Sequence, residues 1–488
     1  MFGTLVIGMI ILRTVKHRGR GKRKWRRNKS DMTTNEEIEC FNRKSSSFQT
    51  NDLWVSSIYI GDKYCGMAYL DPKYPEDVVS LGRNEMIGVL LTKDGQVKEF
   101  GDKARKMFTE NREDSSDYIF LDHDKLDIEL GNDYISELPS LKIIDVYQSI
   151  IGFLVRKIVE TVAGPLEKEG TSCKSDSCLL CNMHCVITVP YHWKIYVRDL
   201  RSAFDRIMKE IHKNVNKEQL HIKSREVAIS PYIHEVKASV TCLNFNVDNL
   251  IFKEKTAYVN LHVGSKYCNL TFLSATDPKR PDEIIGQPYR QPWKKRTPEV
   301  QFVNLLKDLF TEALFKEWKD TYNWEYISLL WQFEDQKNKM CENLDDNEKY
   351  AFKLSSKLFK PFKEDQSKMV SLKDRLKKIE ELEMNESDCS IVFKWSFLKT
   401  FFTHVKESTR DIIRRHRNDL KEVRCVVMTG SFSQMKLFLH EAEKEWFKEL
   451  TQAVTVVIPV HIGSTYAMGA AYFFKKYPKW IFYDLISK

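Results

Sequence analysis

Three glycines stand where backbone could approach an anion closely. Gly61 follows Ile58-Tyr59-Ile60, Gly264 follows Leu261-His262-Val263, and Gly430 follows Val427-Met428-Thr429. Each closes an apolar run. Phosphate sites in α/β folds need glycine at such strand ends, because a side chain would hold the anion off the peptide N–H groups. Plain turns after strands also use glycine, so one such residue says little. Three in this order say more.

A second group could bind metal. Cys173, Cys178, Cys181, His184 and Cys185 fall within thirteen residues. Cys178-x-x-Cys181 is a ligand pair of the kind that aims two thiolates at one Zn²⁺. The second pair after a long gap, usual for structural zinc, is missing. Cys173, Cys178, Cys181 and His184 are therefore the candidate zinc ligands. Thiol redox chemistry at Cys178/Cys181 and an unligated surface insertion stay open, and Cys185 also begins an apolar strand. His221, His234 and His440 show no metal spacing, and neither a nucleophile elbow nor a P-loop lysine motif is present.

The elements that must hold these residues alternate between strand and helix. WVSSIYIGDKYCGMAYL reads as a hairpin turning at Gly61, and GVLLTKDGQVKEFG as a second turning at Asp94-Gly95. Val146, Ile150, Ile151, Leu154, Ile158 and Val162 share one face of a helix. CVITVP is a short buried strand, Arg198 to His212 a helix, REVAIS a strand, and TAYVNLHV a strand leading to Gly264. Phe302, Leu305, Leu306, Leu309, Phe310 and Leu314 mark one amphipathic helix. Residues 337–385 are charged and helix-prone, with an interruption expected at Pro361. RCVVMTGSF and VTVVIPV are strands, and STYAMGAAYFF is a helix of small residues. The pattern predicts an α/β architecture. No repeat with a period of 20–50 residues, as solenoids show, is present.

Composition narrows the function classes. The 488 residues exceed one ordinary core, and 42% are apolar. Net charge is +9, but Arg13 to Lys29 alone holds ten Lys or Arg and no acid. The remainder is close to neutral, which argues against a nucleic-acid-binding body. Residues 1–50 read as a disordered basic arm. Met1 to Leu12 is an apolar dozen, shorter than a spanning helix and followed, not preceded, by the basic run. An anchor to an acidic membrane surface through residues 1–29 and nuclear import are both open. Eleven cysteines, mostly scattered, suit buried thiols in a reducing compartment, and a cytoplasmic location is expected.

The ordered set of strand ends resembles the heat-shock-70 family, specifically its divergent member 12 branch. The resemblance covers roughly residues 53–475. Ile58 to Ala68 is similar to the first phosphate hairpin, and Phe100, Gly101 and Ala104 to the branch's Phe-Gly-x-x-Ala stretch. Thr188, Val189, Pro190 and Trp193 resemble its Thr-Val-Pro-x-x-Trp strand end. TAYVNLHVGSKYCNLTF resembles the second phosphate loop, GQPYRQPW from Gly286 the glycine-rich turn before a long helix, and VVMTGSFSQMKLF the adenosine loop. The terminal VIPVHIGSTYAMGAAYFF resembles the family's last strand and helix.

The resemblance implies the actin-like ATPase fold, ribonuclease H-like, with two lobes around a nucleotide cleft. It places lobe I at 51–254 with 464–488 returning to it, a Cys-rich insertion at 170–185, and lobe II at 255–463. ATP or ADP would then touch Gly61, Lys63, Tyr64, Gly264, Ser265, Gly430, Ser431 and Phe432. Family members hydrolyse ATP with Mg²⁺ held by carboxylates, and this chain departs there. The strand-end aspartates fall at Tyr59 and Asn260, and the second loop's other aspartate at Tyr267. Two loop glycines fall at His262 and Val263, and the adenosine loop's partner glycine at Ser431. Lys63 keeps a charge that could hold a phosphate, whereas Asp62 would repel one. Mg²⁺ and catalysis are therefore not expected, weak nucleotide binding stays open, and no catalytic residue is assigned. The expected function is a chaperone-like or regulatory binding module with an unnamed protein client. The alternatives are an active ATPase and an adaptor working through the basic arm. A peptide-clamp domain after the last helix is not expected.

Overall fold

The computed structural model describes residues 13–15, 54–61, 63–71, 74, 77–81, 85–110, 117–123, 125–126, 134–167, 183–188, 206, 257–274, 283–293, 296–340, 345–448, 454–458 and 462–476. The fold is mixed α/β, with several sheets and helices. The first described element, β1 (Arg13–Val15), lies within the arm expected to be disordered. The expected helix at Arg198 to His212 (apart from Arg206) and the REVAIS strand lie outside the described residues.

The first sheet grows from the hairpin of β2 (Trp54–Ile60) and β3 (Tyr64–Leu70). Next, β4 (Val78–Ser80) and β5 (Glu85–Met86) pair antiparallel with β3. A smaller sheet follows, of β6 (Gly88–Thr92), β7 (Val97–Phe100) and β8 (Tyr118–Asp122), with α1 (Gly101–Glu110) between the last two. The Asp94-Gly95 turn joins β6 to β7 with Gly95 at φ +84°. A ribbon of β9 (Tyr134–Ile135) and β10 (Leu138–Lys142) leads into α2 (Ile143–Glu167). Then β11 (Met183–Thr188) returns parallel to β2, giving the order β11-β2-β3-β4.

Strand β2 is almost wholly buried because both sheet faces are covered. Ile58 and Ile60 pack with Val146, Ile150, Ile151, Leu154 and Ile158 of α2. The alternate residues Val55 and Tyr59 pack against the chain's last described helix. Alternation along a strand sends neighbours to opposite faces, so one apolar run serves two interfaces.

The second large sheet begins with β12 (Ala257–Val263), β13 (Tyr267–Ser274) and β14 (Glu283–Pro292), an antiparallel meander. Three helices follow: α3 (Pro298–Phe310), α4 (Glu312–Thr321) and α5 (Asn323–Met340). A small sheet is formed by β15 (Lys349–Lys353), β16 (Leu382–Asn385) and β17 (Ser390–Lys394), with α6 (Ser356–Glu364) and α7 (Gln366–Lys377) inserted. After α8 (Thr403–Arg415) come β18 (Cys425–Thr429), α9 (Lys436–Glu441), β19 (Val454–Val457) and α10 (Ile462–Lys476). β18 runs parallel to β12, and β19 parallel to β18, while β1 joins β19 antiparallel at the edge.

The two large sheets share one connectivity. In each, a central strand (β2 or β12) has its antiparallel meander on one side and a parallel strand (β11 or β18) on the other. The last helix, α10, packs on the first sheet. Ala467, Ala470 and Ala471 let it approach closely, and the Ser57 hydroxyl donates to the Ala467 carbonyl oxygen at 2.5 Å.

Four local expectations change. The helix read through Leu314 breaks at Thr311, which takes φ +67° and separates α3 from α4. The stretch from Gly286 is a strand rather than a turn, with Gly286 at φ +72° beside a register shift. Pro361 does not interrupt: α6 runs through it because Leu358, Phe359 and Phe362 anchor its inner face. The break comes at Asp365, whose carboxylate accepts from the N–H groups of Ser367 and Lys368 and caps α7. Within 337–385, Tyr350 and Phe352 point inward between exposed lysines, and that two-residue alternation makes β15 a strand. Among the described residues no helix is long and apolar enough to cross a membrane.

Candidate functional site

The two glycine turns are built alike. Ile60 pairs with Cys65 and Val263 with Cys268, so each hairpin closes over four residues. The Gly61 N–H donates to the Tyr64 carbonyl oxygen at 2.9 Å, and the Gly264 N–H to that of Tyr267 at 2.9 Å. The sequences match as well: Gly61-Asp62-Lys63-Tyr64-Cys65 against Gly264-Ser265-Lys266-Tyr267-Cys268. This echo, identical at four of five positions, is legible in the sequence. It announces two equivalent hairpins at corresponding ends of two equivalent sheets.

Neither turn is open above its glycine. A Cβ on Gly61 would fall 2.7 Å from Cζ of the Tyr59 ring. A Cβ on Gly264 would fall 2.5 Å from Nε2 of His262. The space that glycine leaves for an anion is thus filled by the chain's own rings. Those rings touch one another. The Tyr59 and Tyr466 centroids lie 4.5 Å apart, and the Tyr466 hydroxyl is 3.1 Å from His262 Nδ1. His262 stacks on Tyr267 at 5.2 Å, and the Arg290 guanidinium caps Tyr267 at 3.9 Å. A continuous aromatic plug therefore joins the two hairpins through α10.

Burial, aided by the Arg290 charge, pushes the His262 pKa down to about 3, so the ring is neutral at physiological pH. The unfolded chain has an ordinary histidine that binds a proton below about 6.5. Stability from this ring is therefore complete above pH 6.5 and is lost as pH falls toward 3, at up to about 1.4 kcal/mol per pH unit. Unfolding curves from pH 7 to pH 5 should show that decline in the parent protein. His262→Gln should flatten it, and an unchanged slope would show that the ring is not the group responsible.

The third turn meets the second backbone to backbone. Gly430 takes φ +94°, and its missing Cβ would lie 2.5 Å from the Val263 carbonyl carbon and 2.9 Å from the Gly264 nitrogen. The Phe432 N–H donates to the Val263 carbonyl oxygen at 3.0 Å. Phe432 is fully buried, 5.7 Å from Phe402 and 5.6 Å from Phe438, so it is a core ring. Ser265 is buried. The Ser431 hydroxyl is buried without a hydrogen-bond partner.

Lys63 and Tyr64 face acids that sequence reasoning missed. The Lys63 ammonium lies 2.6 Å from Glu334 Oε2 and 3.0 Å from Glu299 Oε1. Tyr64 donates its hydroxyl to Glu334, and Lys337 bonds Glu334 at 2.6 Å. Lys337 also sits 5.2 Å from the Phe432 ring centroid, which links the first turn to the third. Burial opposes charge on Lys63, but Glu299 and Glu334 overcome it and hold the ammonium well above the ordinary lysine value. Burial would raise Glu334, yet Lys337 and Lys63 drive it far below the usual carboxylate range. Glu299 is lowered by the same two lysines against its own burial. Burial and then Glu334 raise the Tyr64 phenol. The signal for this cluster was Glu334 and Lys337 on the same helical stripe as Ile327 and Trp331, charges where α5 needs apolar side chains.

All eight expected nucleotide contacts lie on three turns; the second and third meet backbone to backbone, and side chains of α5 and α10 link the first to both. Asp62, Cys173, Cys178 and Cys181 lie outside the described residues, and His184 falls on β11. Cys185 is fully buried, and burial pushes its thiol up to about 12 against a hydrogen bond with Ser56, so it stays a protonated core thiol. Among the described residues no cluster of His, Cys, Asp or Glu could hold a metal ion. No protein-family model matches the chain, and no curated protein does.

Proposed function

We propose that the chain is a divergent heat-shock-70-like protein of the member 12 type, built on the actin-like ATPase fold, whose cleft no longer hydrolyses ATP and which acts as a regulatory or chaperone-like binding module. The fold reading is supported by the connectivity that β2–β4 with β11 share with β12–β14 and β18. In this reading the first sheet with α10 is lobe I and the second is lobe II. Five buried free thiols, Cys65, Cys185, Cys268, Cys389 and Cys425, suit a reducing compartment such as the cytoplasm.

One observation carries the loss of hydrolysis. Tyr59 fills the space over Gly61 and His262 that over Gly264, where phosphate would have to sit, and Tyr466 bridges the two rings. The residues present do not fit a metal-bound triphosphate. Tyr59, Asn260 and Tyr267 supply no carboxylate, and Lys63 already spends its charge on two glutamates. The other side of the cleft is less altered. The orphaned Ser431 hydroxyl beside Gly430 could serve a nucleoside hydroxyl or base.

Thermal unfolding with adenosine, ADP and ATP, each with and without Mg²⁺, tests this. Any shift should be the same for all three and indifferent to Mg²⁺, and no phosphate should be released. Phosphate release, or a shift that grows with phosphate number and Mg²⁺, would overturn the reading.

A further inference from the structure

Lys63 leaves the tip of the β2–β3 hairpin and ends among residues more than two hundred positions away. Its partners are Glu299, in the first turn of α3, and Glu334, on α5. Lys337 lies 2.6 Å from Glu334 and 3.6 Å from Glu299, so two ammoniums balance two carboxylates. Lys63, Glu334 and Lys337 are all buried. Charges stay ionised in such a place only when each has a partner.

An apolar seam runs beside this cluster. Met86, Leu90, Ala104, Phe108 and Phe120 of the first half pack with Ile327 and Trp331 of α5. The Arg105 guanidinium from α1 sits 3.5 Å from the centroid of Trp331. The second hairpin crosses the other way: the Lys266 ammonium donates to the His123 carbonyl oxygen at 3.5 Å. The same position of the repeated Gly-x-Lys-Tyr-Cys tip thus reaches across from each side.

We propose that Lys63, joined to Glu299 and Glu334 and backed by the Phe108–Trp331 seam, is a latch that holds the two lobes closed in place of a bound nucleotide. The proposal rests on the two-lobe reading above. A nucleotide cleft closes when ligand contacts both sides at once, and here one lysine makes that contact covalently tethered to lobe I. Closure then needs no ligand and does not turn over. A partner protein would meet one cleft conformation, independent of the nucleotide state of the cell.

Hydrogen exchange on the full chain tests the latch. Parent protein is compared without nucleotide and with millimolar Mg-ATP. Lys63→Met/Glu299→Gln is compared without nucleotide. The pair is removed together so that Glu334 and Lys337 still balance. In the parent, amides of 61–65 and 323–334 should exchange alike with and without Mg-ATP. In the double variant they should exchange at least tenfold faster, with β6 and β18 unchanged. Parent-like rates in the variant would overturn the latch. So would protection of those segments by Mg-ATP in the parent, a comparison that needs no variant to fold. Phosphate release by the parent would instead strike the reading of the cleft, so the two failures are distinguishable.

Discussion

Glu334→Gln is expected to destabilise the protein by about 3–5 kcal/mol, the usual cost of breaking a buried ion pair from one side. The carboxylate faces Lys63 at 2.6 Å and Lys337 at 2.6 Å, and it accepts from Tyr64 as well. Glutamine keeps the shape and removes the charge. Two buried ammoniums then share Glu299, which is 3.0 Å from one and 3.6 Å from the other. Denaturant unfolding should show a lower midpoint with an unchanged slope. Removing Glu334 and Lys337 together, as Leu and Met, should cost less than Glu334→Gln alone, because no unpaired charge remains buried. A loss below about 1 kcal/mol for Glu334→Gln would mean that water reaches the cluster. The cluster should also be insensitive to pH through the neutral range. Glu299 and Glu334 are depressed, so their contribution is present above about 4.5 and is lost only as pH falls through their lower folded values. Lys63 is raised, so its contribution is present below 10.5 and is lost only above that.

Gly430→Ala should cost about 3 kcal/mol, from two separable sources. The residue sits at φ +94°, where an L side chain is strained by about 1–2 kcal/mol. Its Cβ would also fall 2.5 Å from the Val263 carbonyl carbon and 2.9 Å from the Gly264 nitrogen. Those are backbone atoms at the buried end of β12 and cannot swing aside as a side chain would. Gly286→Ala isolates the first source. It has φ +72° but nothing within 4 Å, so only the conformational strain of about 1–2 kcal/mol applies. Thermal unfolding of both variants checks the pair. Equal losses would show that the close meeting of the second and third turns is not under strain from the new methyl group.

Much of the fold was legible because local pattern and burial agreed. The β2–β3 hairpin, α2, β12, β18 and α10 were all read from apolar periodicity and glycine turns. Misreadings came where a distant contact outweighed a local signal. Pro361 lies inside α6 because Leu358, Phe359 and Phe362 hold that helix to the core. Thr311 ends α3 in a left-handed conformation that no turn residue announces. The stretch beginning at Gly286 lies in β14 because β13 offers it a hydrogen-bonding edge.

The candidate site divides along the same line. The resemblance puts Lys63 in the first phosphate turn, where its charge could hold a phosphate. Its neighbours in space are Glu299 and Glu334, and they determine what its charge does. Tyr59 stands where the resemblance implies a carboxylate, and the structure adds that its ring lies over Gly61 and meets Tyr466 of α10. By itself the sequence determined the β2–β3 hairpin, α2, β12, β18 and α10, the positions of the three glycines, and the absence of acids at Tyr59, Asn260 and Tyr267. Only the tertiary structure decided that rings close the space above those glycines and that two glutamates neutralise Lys63. Strand and turn formation depend on residues close along the chain, which periodicity exposes. The pairing of a buried charge depends on which helices the packing brings beside it.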